Sequence, residues 1–382
     1  MFNELERIGK EQKMEYQRLG DYIREVNVRN RELKVTNLLG LSIEKKFIPS
    51  IAKTIGTDMS SYKIVQPSQF AYVPVTSRNG DKITVALYDG EESAIISQAY
   101  TIFEIIDHKA LLPEYLMMWF RRPEFDHYAR FHSHGSAREV FDWDELCDVL
   151  LPVPDIARQR EIVAEYETLT NRIRLNEQMI EKLEATAQAL YRKMFVDGVD
   201  KENLPEGWRR GTLKEVADCF DYKRRPLAGY DRADMEKKYP YYGAAALMDY
   251  VDDYLFDGTY ILMGEDGTVI NEDNTPVIQY VTGRFWVNNH AHILKGTNGF
   301  DENLLYLILK QTKVNEYITG GVQAKINQEN MMSIPVIIPS SEVVMGITEA
   351  LRPIFGMLQI KKQENLKLTE LQSLLLARMG KD

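Results

Sequence analysis

Two basic clusters carry the side chains that hold phosphate: Arg29, Arg31 and Lys34 early in the chain, and Lys223, Arg224 and Arg225 past its middle. Such groups neutralise duplex phosphates and fix register. The competing reading is a solvated charged loop, and recurrence of the cluster behind a similar opening strand favours the first. The polar stretch SRNGDK, residues 77–82, suits a hairpin tip and offers Arg78, Asn79 and Lys82, of which Arg78 and Asn79 can address guanine and adenine edges. GEDGTV, residues 264–269, suits the same kind of turn. Ser136 and Arg138 in one Gly-led loop, Gln323 and Lys325 in another, and the pair Asn288 and Asn289 complete the candidate DNA contacts.

Other constellations invite chemistry without completing it. The pairs His132/His134 and His290/His292 fall on one face of a strand and can present two metal ligands. No third and fourth ligand accompanies either pair, so no metal is expected, and hydrogen-bonded packing or DNA contact is the alternative. Asp155 with Asp221 and Lys223 imitates an acidic nuclease site, but a long helical pattern separates the first from the other two. The sequence has no N-P-P-Y loop of an adenine methyltransferase, NTPV at 274–277 being too distant, and no G-x-x-x-x-G-K-[ST] phosphate loop. No catalytic residue is assigned, and the chain reads as non-catalytic. YPYYGAAALMDY, residues 239–250, suits stacking on sugar or base and core packing equally well.

The elements that must position these candidates occur twice. Leu19 matches Leu213, Arg29 matches Lys223, Arg31 matches Arg225 and Leu33 matches Leu227 at one offset. Further on, ISQAYTIF from Ile96 parallels VNNHAHIL from Val287, and GSAREVFDWDELCDVLLPVP from Gly135 parallels GGVQAKINQENMMSIPVIIP from Gly320. Each copy therefore reads as strand-like segments, a Gly-led loop and an apolar run closing on proline.

A helical seam follows each copy. Ile162, Tyr166, Leu169, Ile173, Asn176, Ile180, Leu183, Ala187, Leu190 and Met194 alternate spacings of three and four. The second seam runs Ile347, Leu351, Ile354, Leu358, Lys361, Asn365, Leu368, Leu375 and Met379, with Pro353 placed to kink or interrupt it. Neither stripe buries itself alone, so an antiparallel pairing with a pseudo-twofold relation is expected. Asn176 and Lys361 would then form a polar layer at mid-length. Each helix packing on its own globular unit is the alternative. The fold class is α+β: recognition-type units at 1–154 and 201–339, long helices at 155–200 and 340–382. A helix of about 40 residues spans about 60 Å, and some 17 base pairs match that length.

Composition narrows the class. With 57 acidic and 47 basic residues among 382, the net charge of −10 argues against a protein that coats nucleic acid unaided. The two cysteines, Cys147 and Cys219, lack C-x-x-C spacing and exclude a disulfide framework or four-thiolate zinc site. The charged opening MFNELERIGKEQKMEY is unlike a signal peptide, and no run approaches the roughly 18 apolar residues of a membrane span. A cytoplasmic protein without membrane contact is expected.

The order of a globular unit, a helix start with Pro152, Pro154, Gln159 and Ile162, a helix ending ATAQALYRKMFVDG, then LPEGW at 204–208 and a second unit resembles the specificity subunit of type I restriction-modification systems. Val344 stands where the first helix has Gln159, a departure that leaves the start of the second helix open. The resemblance implies two target-recognition domains reading halves of a split sequence in double-stranded DNA. It implies helices that space them and dock two modification (methyltransferase) subunits. S-adenosylmethionine would sit on those partners, and ATP and Mg on the restriction subunits, with no cofactor in this chain. A module of another DNA-modifying defence system, a silent cassette copy, or a coiled-coil protein-binding scaffold are the alternatives; a self-contained nuclease would have to cut DNA with magnesium alone.

Overall fold

The computed structural model describes residues 15–50, 57–76, 80, 82–135, 138–200, 202–320 and 323–380. Its contacts divide the chain into two units, one running to Leu175 and resuming at Glu364, the other Asn176–Gln363.

The first unit is built on short strands: β1 (Tyr16–Arg18), β2 (Ile23–Val26), β3 (Leu39–Leu41), β4 (Phe47–Pro49), β5 (Lys63–Val65), β6 (Phe70–Tyr72), β7 (Val85–Leu87), β8 (Ala94–Ile96) and β9 (Thr101–Ile105). Helices α1 (Pro113–Phe120), α2 (Pro123–Phe131) and α3 (Trp143–Cys147) follow, then β10 (Leu150–Pro152) and the long α4 (Ile156–Phe195). The antiparallel sheet β2-β9-β6-β7 carries the core. Phe70 and Phe103 are register partners whose rings stack at 4.9 Å, and Phe120 of α1 meets both edge-on. Proline opens α1 and α2 at a position whose backbone donor has no helical partner anyway.

The second unit contains β11 (Arg209–Thr212), β12 (Ala217–Cys219), α5 (Gly229–Ala233), β13 (Tyr239–Tyr242), β14 (Leu247–Val251), β15 (Phe256–Gly264), β16 (Ile278–Val287), β17 (Ala291–Gly296), α6 (Glu302–Gln311), α7 (Gln328–Met332), β18 (Pro335–Ile338) and, as far as Gln363, α8 (Ser341–Arg378), whose last turns from Glu364 belong to the first unit, as α4 from Asn176 belongs to the second. Six strands form the order β12-β17-β15-β16-β13-β14, with β13 parallel to β16 and the other pairs antiparallel. Strand alternation serves both faces of β15: Ile261 and Met263 join the core containing α6, while Tyr260 and Leu262 join an aromatic core with Phe256 and Phe285.

The internal repeat holds at the level of single hydrogen bonds. β1 pairs with β10 as β11 pairs with β18. Leu19 donates its N–H to Val149 O at 2.8 Å, and Leu213 donates to Ile334 O at the same distance. The Gly-led loops close through equivalent bridges, His134 with Val140 and Thr319 with Lys325. Asp142 then caps α3 by accepting from Glu145 N, as Asn327 caps α7 from Asn330 N. At the head of each loop Gly135 has φ 135° and Gly320 φ 95°, and a Cβ there would stand 2.1 Å from Arg138 O and 2.2 Å from Gln323 O respectively. Only glycine fits.

Burial on the long helices follows the seam. Ile162, Tyr166, Ala187, Leu351, Leu358 and Met379 are buried, and Leu169, Ile173, Ile180, Leu183, Leu190, Ile354, Leu368 and Leu375 are half-buried. The helix segments are antiparallel. In the first unit Thr170 meets Gln372 and Arg172 meets Glu364, while Ile162 shares a core with Leu376 and Met379. In the second unit Glu184 meets Lys362. Asn176 is 2% exposed, a polar member of the buried stripe, and Lys361 is half-buried.

Two expectations change. Pro353 does not interrupt α8, which runs unbroken from Ser341 to Arg378. The residue lies on the exposed side, where its ring meets solvent instead of a packed neighbour. The same helix contains an 18-residue stretch long and apolar enough by composition to cross a membrane, contrary to the reading of the sequence. Its Val344, Ile347, Leu351, Phe355 and Leu358 lie in the core of the second unit at helical spacing, as in a core helix. The Val344 departure has a physical account. In the first unit Leu112 precedes α1 without a capping side chain, and fully buried Gln159 accepts from Leu112 N while donating to Ala110 O and Pro154 O. In the second unit Asp301 caps α6 itself, accepting from Leu304 N, so an apolar residue suffices at 344.

Candidate nucleic-acid interface

In the second unit, three loops meet at one end of the long strands. The turn after β12 carries Lys223, Arg224 and Arg225; the turn after β15 carries Glu265 and Asp266; the loop 319–326 carries Gln323 and Lys325. Backbone bonds tie them together: Gly267 N donates to Ala324 O, Ile326 N to Glu265 O, and Glu265 N to His290 O. The Arg224 guanidinium donates to Glu265, to Asn289 O and to Ala291 O, and its other arm lies 3.3 Å from Asp221. Lys325 Nζ reaches Glu265 at 3.1 Å. The sequence candidates of this half thus converge.

They do not share one role. Arg224 is largely enclosed by protein acceptors, and Asn288 is buried, accepting from His290 N. Both shape the loops. Lys223, Arg225, Asn289, Gln323 and Lys325 are exposed. Lys223 lies over the rings of Phe220 and Tyr222, at 5.1 and 5.7 Å from their centroids, and Tyr222 is 77% exposed. Trp286 Nε1 donates to Arg225 O and fixes that turn. Of the aromatic stretch, Tyr241 is buried and donor to the backbone at Leu227, Tyr239 and Tyr242 are half-buried, and Tyr250 is exposed.

Beneath the loops lies a charge network. His292 is fully buried, with Nδ1 2.5 Å from Asp221 Oδ2 and Nε2 2.8 Å from Ile326 O. Asp221 Oδ1 accepts from Ile293 N. Burial pushes the Asp221 carboxyl up, but hydrogen bonding and charge from His292 outweigh it and hold the group below the ordinary carboxylate range. Glu265 behaves alike, burial being overcome by Arg224, His292 and Lys325. Cys219, Asp221 and His292 stand close enough to surround one ion. Their chemistry does not suit it: burial pushes the Cys219 thiol up to about 12, and both His292 nitrogens face acceptors, leaving no lone pair for a metal. The network was missed because Asp221, Glu265 and His292 are far apart in sequence: Asp221, the GEDGTV turn and the HAH spacing were each singled out, but never together.

The first unit places its candidates on two segments. Arg29 bridges Lys63 in the ladder and donates to Ser61 O, Arg31 is exposed, and Lys34 pairs with Glu32. The one-offset match to Lys223 thus ends at the end of β2, since Lys223 sits in a helical turn instead. Lys82 and Arg138 are exposed beside two joined loops: Thr76 N donates to Glu139 O, and Ile83 N to Asp126. Arg78, Asn79 and Ser136 lie outside the described residues. His132 and His134 both approach Glu145, at 2.8 and 3.4 Å, and read as loop packing. Asp155 caps α4 by accepting from Arg158 N.

Residues 205–370 match the family described as type I restriction modification DNA specificity domain. Residues 205–370 thus form a domain of the type I restriction-modification specificity kind. The match opens inside LPEGW and takes in every described loop of the second unit's cluster. A type I restriction enzyme specificity subunit designated S.HindORF215P from Haemophilus influenzae, named as putative, is 32% identical over 154 residues. That alignment covers 39% of this chain and 38% of the relative. The EcoprrI specificity subunit of Escherichia coli is 22% identical over 143 residues, 37% of this chain and 34% of the relative. Both alignments span little more than a third of the curated relatives. Across the whole chain, the crystal structure of the S subunit from M. genitalium shares the fold, with a TM-score of 0.60 at 13% identity and 97% of each chain covered.

Proposed function

We propose that this chain is the DNA-reading, non-catalytic subunit of a type I restriction-modification complex. Each unit reads one half of a bipartite duplex target, and the helices α4 and α8 dock two adenine methyltransferase subunits. One observation carries the reading: the Gly-led loop, its bridge and the capped helix behind it recur bond for bond in both units, and in both the exposed Arg138 or Lys325 stands on that loop. A scaffold built twice with variable polar tips suits reading two short sequences. The cofactor S-adenosylmethionine belongs on the methyltransferase partners, ATP and magnesium on restriction subunits, and the complex works in the cytoplasm. Arg29, Arg31, Lys34, Lys82, Lys223 and Arg225 supply phosphate contacts; Arg78, Asn79, Ser136, Arg138, Asn289, Gln323 and Lys325 address the grooves.

The test is a map of N6-methyladenine in the host genome with and without the gene. Disappearance of one split motif on deletion is the expected result. An unchanged map refutes an active specificity role and leaves a silent copy, another system's module, or a protein-binding scaffold.

A further inference from the structure

The two units hold the same loop by different means. In the first, Phe141 N donates to Pro74 O and Thr76 N to Glu139 O; in the second, Ile326 N donates to Glu265 O and Gly267 N to Ala324 O. These bonds make Phe141 the counterpart of Ile326 and Pro74 that of Glu265. The offset of the preceding strand makes Thr101 the counterpart of His292. The first unit therefore anchors its loop on a large ring, with Phe141 fully buried among Tyr72, Phe125 and Tyr128. The second unit has a smaller anchor, Ile326, and places a buried imidazole on its carbonyl. From β12 and the turn after it that imidazole faces Cys219 and Asp221, the latter paired with Arg224; from the turn after β15 it faces Glu265, and Lys325 closes on Glu265 from the loop.

We infer that His292 is the positioning residue of the second unit's reading loop. By donating to Ile326 O and to Asp221 together, it sets residues 323–326, and with them Gln323 and Lys325, against the turn that carries Lys223 and Arg225. The inference rests on the DNA-reading function proposed above and adds that half-site fidelity depends on a buried charge clamp in one unit and on apolar packing in the other. The clamp touches no DNA. Its loss leaves the loop anchored by Ile326 yet free to shift, which relaxes base choice in one half of the target.

Two isosteres separate loop positioning from general stability. In His292→Gln the amide reaches the place of Nε2 and keeps the bond to Ile326 O; in His292→Asn it reaches the place of Nδ1 and keeps only the bond to Asp221. Each variant, purified with the subunits that accompany the chain from its host, selects duplexes from a random library, and thermal midpoints are measured in parallel. The wild-type complex is expected to enrich a split motif; enrichment of no motif defeats the functional reading itself. His292→Asn, which frees the loop carbonyl, should lower discrimination in one half by about tenfold and leave the other half intact, while His292→Gln, which keeps the loop bond but loses the bond to Asp221, lowers it by less. Equal behaviour of the two variants, whether both keep or both lose that half, overturns the inference. Where both fail to fold, amide exchange in the wild type decides: slow exchange across 323–326 that speeds in Asp221→Asn supports the clamp, and fast exchange in the wild type overturns it.

Discussion

At the scale of single residues, the second unit depends on carboxylates that are kept ionised inside protein. Asp221 is buried, yet His292 holds its carboxyl below the ordinary range of about 3.9. A carboxyl with a lowered folded-state value binds fewer protons folded than unfolded. Its contribution is therefore complete above the unfolded value and is lost as the pH falls through the folded one. Asp221→Asn removes this contribution and leaves the buried imidazole without its counter-ion, at a cost on the order of 3 kcal/mol near neutrality. Urea unfolding of the second unit followed from pH 7 downward should show the gap between wild type and variant closing below about pH 4. A gap that stays constant to pH 2 contradicts the ionised pair.

At the scale of elements, helix α8 carries a residue that its hydrogen-bond ladder does not need. Pro353 removes a backbone donor in the interior of an unbroken helix and lies on its exposed side. Pro353→Ala restores the donor to the carbonyl of Glu349 and should stabilise the second unit by up to about 3 kcal/mol, read as a raised urea midpoint with unchanged slope. A lowered midpoint would mean that α8 requires the local geometry proline imposes. The seam itself was legible in the sequence, because burial on a paired helix repeats every three or four residues and Ile162 to Met379 kept that period. Equally legible were the Gly-led loops, since Gly135 and Gly320 head segments of matching pattern. Pro353 was misjudged for a physical reason: a propensity penalty local to one turn is outweighed by the core residues on either side, Leu351 and Phe355. Gln159 escaped a role because two of its three backbone partners, Ala110 and Leu112, lie in a loop far away in sequence. The same holds for the Asp221, Glu265 and His292 cluster, and for Arg224 and Asn288, whose polar types suggested exposure while the fold committed them to partners within the protein.

At the scale of the molecule, the question is whether the two readings are separable. Among the described residues, the core of the first unit draws on residues up to Tyr166 and from Leu375 to Met379, and the cores of the second on Ile180 to Leu358, with none in common. The loop clamp is equally local, the His292 partners Asp221, Glu265 and Ile326 all belonging to the second unit. Exchange of Leu204–Pro339 for the matching segment of a relative replaces the second unit's strands, loops and α6 while retaining both long helices. Because α8 contributes Val344, Ile347 and Leu351 to that core, the donor segment must present an apolar surface to them. Given that match, methylation mapping of the chimera should show one half of the split motif replaced and the other retained. A motif altered in both halves would mean that base choice in one unit depends on residues of the other, which would refute modular reading even with the repeat intact.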